Sequence, residues 1–303
     1  MRIFVTGGTG FVGSEVVRQL AVAGHEVVAL VRPGSEGKLV KVANVSSHLG
    51  DVTEPDCLPG GMAGCDAVIH LVGVIREFPE RGVTYERLHV KATENVIAAA
   101  ASQGVRRYLH MSANGVRENS AADYHRTKWR AEEAVRASDL DWTIFRPSLL
   151  FGRGGEFVAM LAGMVRRLPV VPVIGDGRYR LQPVAVEQVA ETFVKALAMP
   201  ETVGRVFHLG GAESYPFDEI LDLVGRALGK ARVLKIHQPA ALVRPIVVLM
   251  ERCRSFPVTL DQMTMMLEGN VCDQGPWAET FGIEPVSFAE GIAGCLDPVR
   301  TKT

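Results

Sequence analysis

Tyr124 and Lys128 stand four residues apart in Tyr124-His-Arg-Thr-Lys128, and the helical pattern that opens there runs on through Ala137. At that spacing a phenol and an ammonium share one helix face. A free phenol titrates near pH ~10, too high for a base at neutrality. A neighbouring ammonium, joined by an oxidised nicotinamide, favours the phenolate and lowers that value. In the other direction, the same phenol gives its proton to a carbonyl oxygen as hydride reaches the carbon. Chance supplies such pairs often, so position decides. This one lies 12 residues after Ser112, which closes the strand-like run Arg107–Met111. Ser112 is therefore a third candidate, and Ala113 follows it.

The residues that would bring a cofactor to this pair come first in the chain. Ile3–Val5 is a short apolar strand, and the helix-like pattern Ser14–Ala23 follows a glycine cluster, Gly7-x-x-Gly10-x-x-Gly13. Strand, tight turn and helix start are the context that a dinucleotide-phosphate loop requires. Gly7 can take unusual turn angles, Gly10 admits a pyrophosphate to the backbone, and Gly13 lets helix and strand pack closely. Amides at the helix start would hold the phosphates. The candidate cofactor residues here are Thr6, Gly7, Thr9, Gly10, Phe11, Val12 and Gly13. The second strand, Glu26–Val31, ends at Arg32 with no acidic residue before Glu36. An acid there would serve the ribose hydroxyls of NAD, whereas Arg pairs with the extra phosphate of NADP. NADP is the expected cofactor, with NAD as the alternative.

Together these stretches resemble the extended and atypical short-chain dehydrogenase/reductases, the NAD(P)-dependent epimerase/dehydratase family. Thr6-Gly7-x-x-Gly10-x-x-Gly13 is similar to that family's TGxxGxxG. The resemblance implies that Asp51 and Val52 flank the adenine. It also implies that Leu71, Val72 and Gly73, after the strand Ala67–Leu71, pass beneath the riboses. Pro147, in Phe145-Arg-Pro-Ser-Leu-Leu-Phe-Gly152, falls near the nicotinamide. The resemblance further implies that Lys128 holds the ribose as well as serving the phenol, and that Ser112 is the third catalytic residue, a hydroxyl that orients the carbonyl, with Ala113 where the family has a second small hydroxyl residue. His89-Val-Lys-Ala-Thr-Glu-Asn-Val96 resembles NVxGTxNV, with His89 where the family has an asparagine that supports the lysine through water. Gln182-Pro-Val-Ala-Val-Glu-Gln-Val-Ala190 resembles the segment that returns the chain to the sheet. Phe256–Val271 looks like the tail of the branch related to the 39 kDa accessory subunit of respiratory complex I.

The fold class expected is α/β: a doubly wound parallel Rossmann sheet with a smaller C-terminal α/β lobe. Residues 1–150 would form the dinucleotide-binding domain, rejoined by about 181–211, and residues 151–303 the substrate or partner lobe. His70 reads as a packed core residue. Ser214–Leu228 reads as a capped helix. In the apolar tail from Ala240 to about Asp297 the methionines read as core filler, with a hydrophobic cleft for an isoprenoid or other lipid-like ligand as the sharper alternative.

Composition narrows the function classes. The chain has 33 basic and 34 acidic residues, which gives no electrostatic reason to expect nucleic acid. Its five cysteines are scattered and read as reduced thiols, with no metal site. No apolar run reaches the ~18–20 residues that span a bilayer. Because the first strand starts at once, no signal peptide is expected and the location expected is cytoplasmic. The partner expected is a small-molecule substrate, with peripheral membrane or respiratory-complex contact left open. The function expected is an oxidoreductase or epimerase/dehydratase acting on a carbonyl or hydroxyl of an apolar small molecule. A catalytically quiet nucleotide-binding assembly protein is the alternative.

Overall fold

Ile3, Phe4 and Val5 are fully buried, as are Ala67, Val68 and Ile69. Strands apolar on both faces need a layer of helices on each side, which calls for a parallel sheet with crossover helices. The computed structural model has that architecture. It describes residues 1–296 except Arg252, Arg254, Ser255 and Pro257; the two arginines and Asp297 of the apolar tail thus lie outside the described residues.

The first half runs β1 (Arg2–Thr6), α1 (Phe11–Val22), β2 (Glu26–Val31), β3 (Val45–Leu49), α2 (Leu58–Met62) and β4 (Ala67–His70). A π-helical turn, Glu86–Lys91, then leads into α3 (Ala92–Ser102), β5 (Arg107–Met111), α4 (Asp123–Arg136) and β6 (Asp141–Pro147). The second half begins with β7 (Leu150–Phe151), α5 (Glu156–Arg167), β8 (Val171–Ile174), β9 (Arg180–Leu181) and β10 (Val184–Ala185). It continues through α6 (Val186–Ala196), β11 (Arg205–Leu209), β12 (Tyr215–Pro216), α7 (Phe217–Ala227) and β13 (Lys235–Gln238). Four helices follow: α8 (Ala240–Met250), α9 (Leu260–Glu268), α10 (Gly275–Phe281) and α11 (Phe288–Cys295).

Seven strands form one sheet in the order β11-β6-β5-β4-β1-β2-β3. Every pairing in it is parallel. The order reverses between β1 and β4, so a crevice opens outside their carboxyl ends, where ligands bind in open α/β sheets. On one face α1 and α6 pack together, with Val12, Val16 and Leu20 in the same core as Val186, Val189 and Phe193. Trp277 and Phe281 of α10 reach into that core from far along the chain. The opposite face carries α2 and α3 over Phe4, Val68 and Tyr108.

A second core gathers Leu161 and Val165 of α5, Val171 and Val173 of β8, Ile220, Leu221 and Val224 of α7, and Phe288 and Ile292 of α11. The helix expected from Ser214 starts later, at Phe217, and has no side-chain cap. Ser214 instead accepts a hydrogen bond from Arg180 Nε at 2.9 Å, and Tyr215–Pro216 pairs with β9. The tail's methionines are only partly core filler: Met263 is buried, Met265 and Met266 are half-buried and Met250 is exposed. In α8 only Val247 is buried, while Leu242 and Leu249 are 69% and 78% exposed. Among the described residues no helix is long and apolar enough to cross a membrane.

Candidate active site and nucleotide cradle

The turn after β1 is shaped by what cannot fit in it. Gly7 has φ +76°, which favours glycine, and a Cβ on Gly13 would lie 2.0 Å from Gly7 O. Helix α1 therefore starts hard against the strand. Its N-cap is Gly10, which offers no side-chain cap, and its first turn has no acidic residue. The amides of Phe11, Val12 and Gly13 have no backbone acceptor among the described residues, whereas Gly10 and Ser14 do. Three free donors at the positive end of a 12-residue helix make an anion site. The residues present thus fit a dinucleotide pyrophosphate.

The end of β4 comes to the same place: a Cβ on Gly7 would lie 3.1 Å from the carbonyl carbon of Leu71. Leu71 is buried, Val72 half-buried and Gly73 exposed, so this loop lines the crevice. Lys128 reaches it from α4, its Nζ donating to Val72 O at 3.3 Å and to Met111 O at 3.0 Å. The ammonium is 3% exposed. Burial pulls its pKa down to about 8, against the opposing pull of Glu132. One helical turn earlier, Tyr124 presents its ring to His89, edge-on at 5.3 Å. Its hydroxyl has no hydrogen-bond partner among the described residues, and loss of solvation pushes the phenol up to about 12. A phenol with no described hydrogen-bond partner thus stands one helical turn from a buried amine that holds the crevice loop.

Ser112 is placed differently. Its hydroxyl donates to Glu132 Oε1 at 2.5 Å, and Glu132 is fully buried between Arg146 and Arg136. Arg146 bonds that carboxylate twice, Nε at 2.8 Å and Nη2 at 2.6 Å. The serine is committed to this ion-pair network. The side chain that faces a cavity is Asn114, two residues on, which sequence reading passed over. Its Nδ2 donates to Asn270 Oδ1 at 2.8 Å and Val271 O at 3.2 Å, while its Oδ1 lies 2.9 Å from His208 Nδ1. With Gly115, Arg180, Glu268 and Asn270 it lines a cavity of about 270 Å3. The only sequence signal was that Asn114 is the one polar side chain between Ser112 and Val116.

Several other candidates have structural partners. The Thr6 hydroxyl lies 2.7 Å from His70 Nδ1, and His70 Nε2 lies 3.1 Å from Thr93 Oγ1. Both residues are fully buried, and burial holds His70 down at about 3, as suits a packed neutral imidazole. Asp51 accepts from Thr53 N at 2.9 Å and from the Thr53 hydroxyl at 2.8 Å, which closes a local turn. Val52 is buried, and its carbonyl accepts from Asn95 Nδ2 at 3.1 Å. Arg32 is exposed at the end of β2, Thr9 is half-buried in the glycine turn, and Pro147 ends β6 with its carbonyl accepting from Asn114 N at 2.8 Å.

Helix α4 starts after Ala122, which cannot cap it. Asp261 of α9 supplies the cap from 137 residues away, accepting from Tyr124 N at 3.0 Å. It also accepts from Asp123 N, at 3.3 Å. Burial raises the Asp261 carboxyl above its ordinary range. No local pattern could have shown this residue.

A Rossmann sheet with a glycine cradle and a Tyr–Lys pair on the helix after β5 defines a class of nucleotide-dependent enzymes and their relatives. This chain belongs to the NAD dependent epimerase/dehydratase family, which it matches over residues 3–210. It is 27% identical over 308 residues to the mitochondrial NADH-ubiquinone oxidoreductase 40 kDa subunit of Neurospora crassa, covering 98% of this chain and 79% of that protein. A ceramide reductase of Caulobacter vibrioides is 29% identical over 79% of this chain and 75% of its own. The fold matches that of Thermus thermophilus UDP-glucose 4-epimerase, solved with NAD, at a TM-score of 0.75 and 22% identity over the full length of both chains.

These relatives correct one expectation. A small-molecule substrate stood as the partner, with respiratory-complex contact merely left open. The Neurospora relative, aligned over almost the whole chain, is by name a subunit of a mitochondrial NADH-ubiquinone oxidoreductase. A partner list built on a substrate alone does not describe such relatives, and sequence motifs of the nucleotide site carry no information on assembly.

Proposed function

We propose that this protein binds NADP(H) in the Gly7–Gly13 cradle and reduces a carbonyl compound, with Tyr124 as proton donor. The observation that carries the reading is a Tyr124 hydroxyl without a hydrogen-bond partner among the described residues, on the same helix and one turn from a buried Lys128 that holds the loop after β4. The amides of Phe11, Val12 and Gly13 would hold the pyrophosphate, Arg32 the extra phosphate, and Lys128 with Gly73 the nicotinamide ribose. A bound nicotinamide nucleotide supplies the hydride. Tyr124 gives its proton to the carbonyl oxygen as the carbon is reduced, and Lys128 gives one back to the phenolate. A phenol held near 12 stays protonated at neutrality, which suits the reductive direction. Asn114 and Arg180 would meet the polar end of the substrate, and the Caulobacter relative's name supports an apolar body for it.

The test has two parts. Calorimetry should show NADPH binding more tightly than NADH, with Arg32→Ala erasing a preference worth about 1.5–3 kcal/mol. Equal affinities in the wild type would remove the NADP assignment. A panel of aldehydes and ketones should then separate wild type from Tyr124→Phe in NADPH consumption at unchanged nucleotide affinity.

A second reading is favoured by the commitment of Ser112 to Glu132 and by the Neurospora relative. In it the nucleotide is a structural element of a subunit without turnover. Tyr124→Phe would then leave every property intact.

A further inference from the structure

Helices α8 and α9 form a hairpin with little packing of its own. Each has a single fully buried residue, Val247 in α8 and Met263 in α9. The two ends are pinned by backbone bonds. Gln238 O accepts from Gly175 N at 2.8 Å, and Asn270 joins β9 through Arg180 O at 2.8 Å and Gln182 N at 2.9 Å. The bend between the helices is held by one side chain from elsewhere. Arg76 follows Gly73 in the loop that lines the crevice. Its Nη2 donates to Glu251 O at 2.7 Å and Cys253 O at 3.0 Å, and its Nη1 to Phe256 O at 2.6 Å.

The chemistry suits the place. Carbonyls at a helix end have no partner within the helix, and the dipole favours a cation there. A guanidinium is a rigid fork, so three acceptors on it fix direction as well as distance. Phe78 steadies the fork, its ring centre 5.5 Å from the guanidinium carbon. From the bend the ties run back to the Tyr–Lys pair. Leu260 N donates to Glu251 Oε2 at 3.0 Å, and Asp261 accepts from the first amides of α4. Lys128 of α4 then returns to the crevice loop at Val72 O. Loop, hairpin and α4 thus close a circuit. The far end of α9 reaches the cavity beside Asn114, where Glu268 is paired with Arg117 at 2.9 Å.

We infer that Arg76 is a positioning residue that couples the nucleotide crevice to the α8–α9 hairpin, so that a nucleotide bound in the crevice also orders the hairpin and the cavity edge it carries. This rests on the proposed reading of the crevice as the nucleotide site. With one buried residue in each helix, the hairpin draws its order from ties, and Arg76 is the tie that starts in the crevice loop.

Hydrogen–deuterium exchange of the full chain, read by mass spectrometry with and without saturating NADPH, tests the coupling. In the wild type NADPH should slow exchange in residues 7–13 and also, about tenfold, in α8 and α9. In Arg76→Met it should slow residues 7–13 as before and leave α8 and α9 unchanged. Arg76→Lys, which keeps the charge without the fork, should recover part of the response. Protection confined to residues 7–13 in the wild type, or equal protection of the hairpin in wild type and Arg76→Met, would overturn the inference. If NADPH protects nothing, the proposed function fails, and a nucleotide-free comparison decides the coupling. Val247→Ala loosens α8, and should speed exchange in residues 72–78 when Arg76 is present but not in Arg76→Met. An effect absent from the first, or equal in both, would overturn it.

Discussion

Burying the Lys128 ammonium costs stability in the nucleotide-free protein, and the sign of that cost can be worked out. Its pKa falls from 10.5 to about 8, chiefly through burial. Between those values the unfolded chain binds the proton and the folded chain does not, so stability rises with pH across that window. The full difference is worth about 3 kcal/mol on an order-of-magnitude scale. Wild type should therefore resist urea better at a pH of about 9.5 than at about 7.5, and Lys128→Met should lack that part of the rise. The methionine variant should also be the more stable protein near neutrality while binding nucleotide less well. A variant that loses stability and shows the same pH slope as wild type would mean that the charge is not the cost. Methionine keeps the stem and removes the unpaired ion, so it isolates that term.

At the scale of elements, helix α4 depends on a cap that another helix provides. Replacing Asp261 with Ala leaves the amides of Asp123 and Tyr124 without an acceptor, at a cost of about 1–2 kcal/mol. Thermal unfolding should fall accordingly, and nucleotide binding should weaken because Tyr124 and Lys128 ride on the same helix. Unchanged affinity would show that the first turn of α4 does not position the pair. The elements themselves were largely legible. Strands β1, β2 and β4 are largely apolar runs bounded by turn residues, and Gly7, Gly10 and Gly13 mark the turn that α1 requires. What local pattern could not show is which partner a side chain finds across the fold. Ser112 lies at the expected spacing, but Glu132, itself paired with Arg146, claims its hydroxyl. Asp261 and Asn270 reach the site from far along the chain, so no periodicity announces them. Ser214 carries a cap signature, yet the strand pairing of Tyr215 with Leu181 delays the helix.

Across the whole molecule, the C-terminal third ties the core under α1 and α6 to the site. Trp277 is fully buried among the residues of α1, α6 and β11, and its Nε1 donates to Thr192 Oγ1 at 2.8 Å. Asn270, a few residues earlier, holds Asn114 beside the cavity. Trp277→Ala should cost about 3–5 kcal/mol and lower nucleotide affinity along with stability, because the same segment carries both contacts. A large loss of stability with normal affinity would separate the core from the site.

The account stands on Tyr124 delivering a proton while hydride leaves a nicotinamide nucleotide. The most direct measurement follows the hydride itself. NADPH deuterated at the transferable position is incubated with the protein and a panel of aldehydes and ketones, and the alcohols are examined by mass spectrometry. The account predicts deuterium on the carbinol carbon of at least one product. It also predicts formation at least ~100-fold slower in Tyr124→Phe, the least that loss of a positioned general acid should cost. Deuterium transfer no faster than in protein-free controls, or equally fast in both proteins, would contradict it.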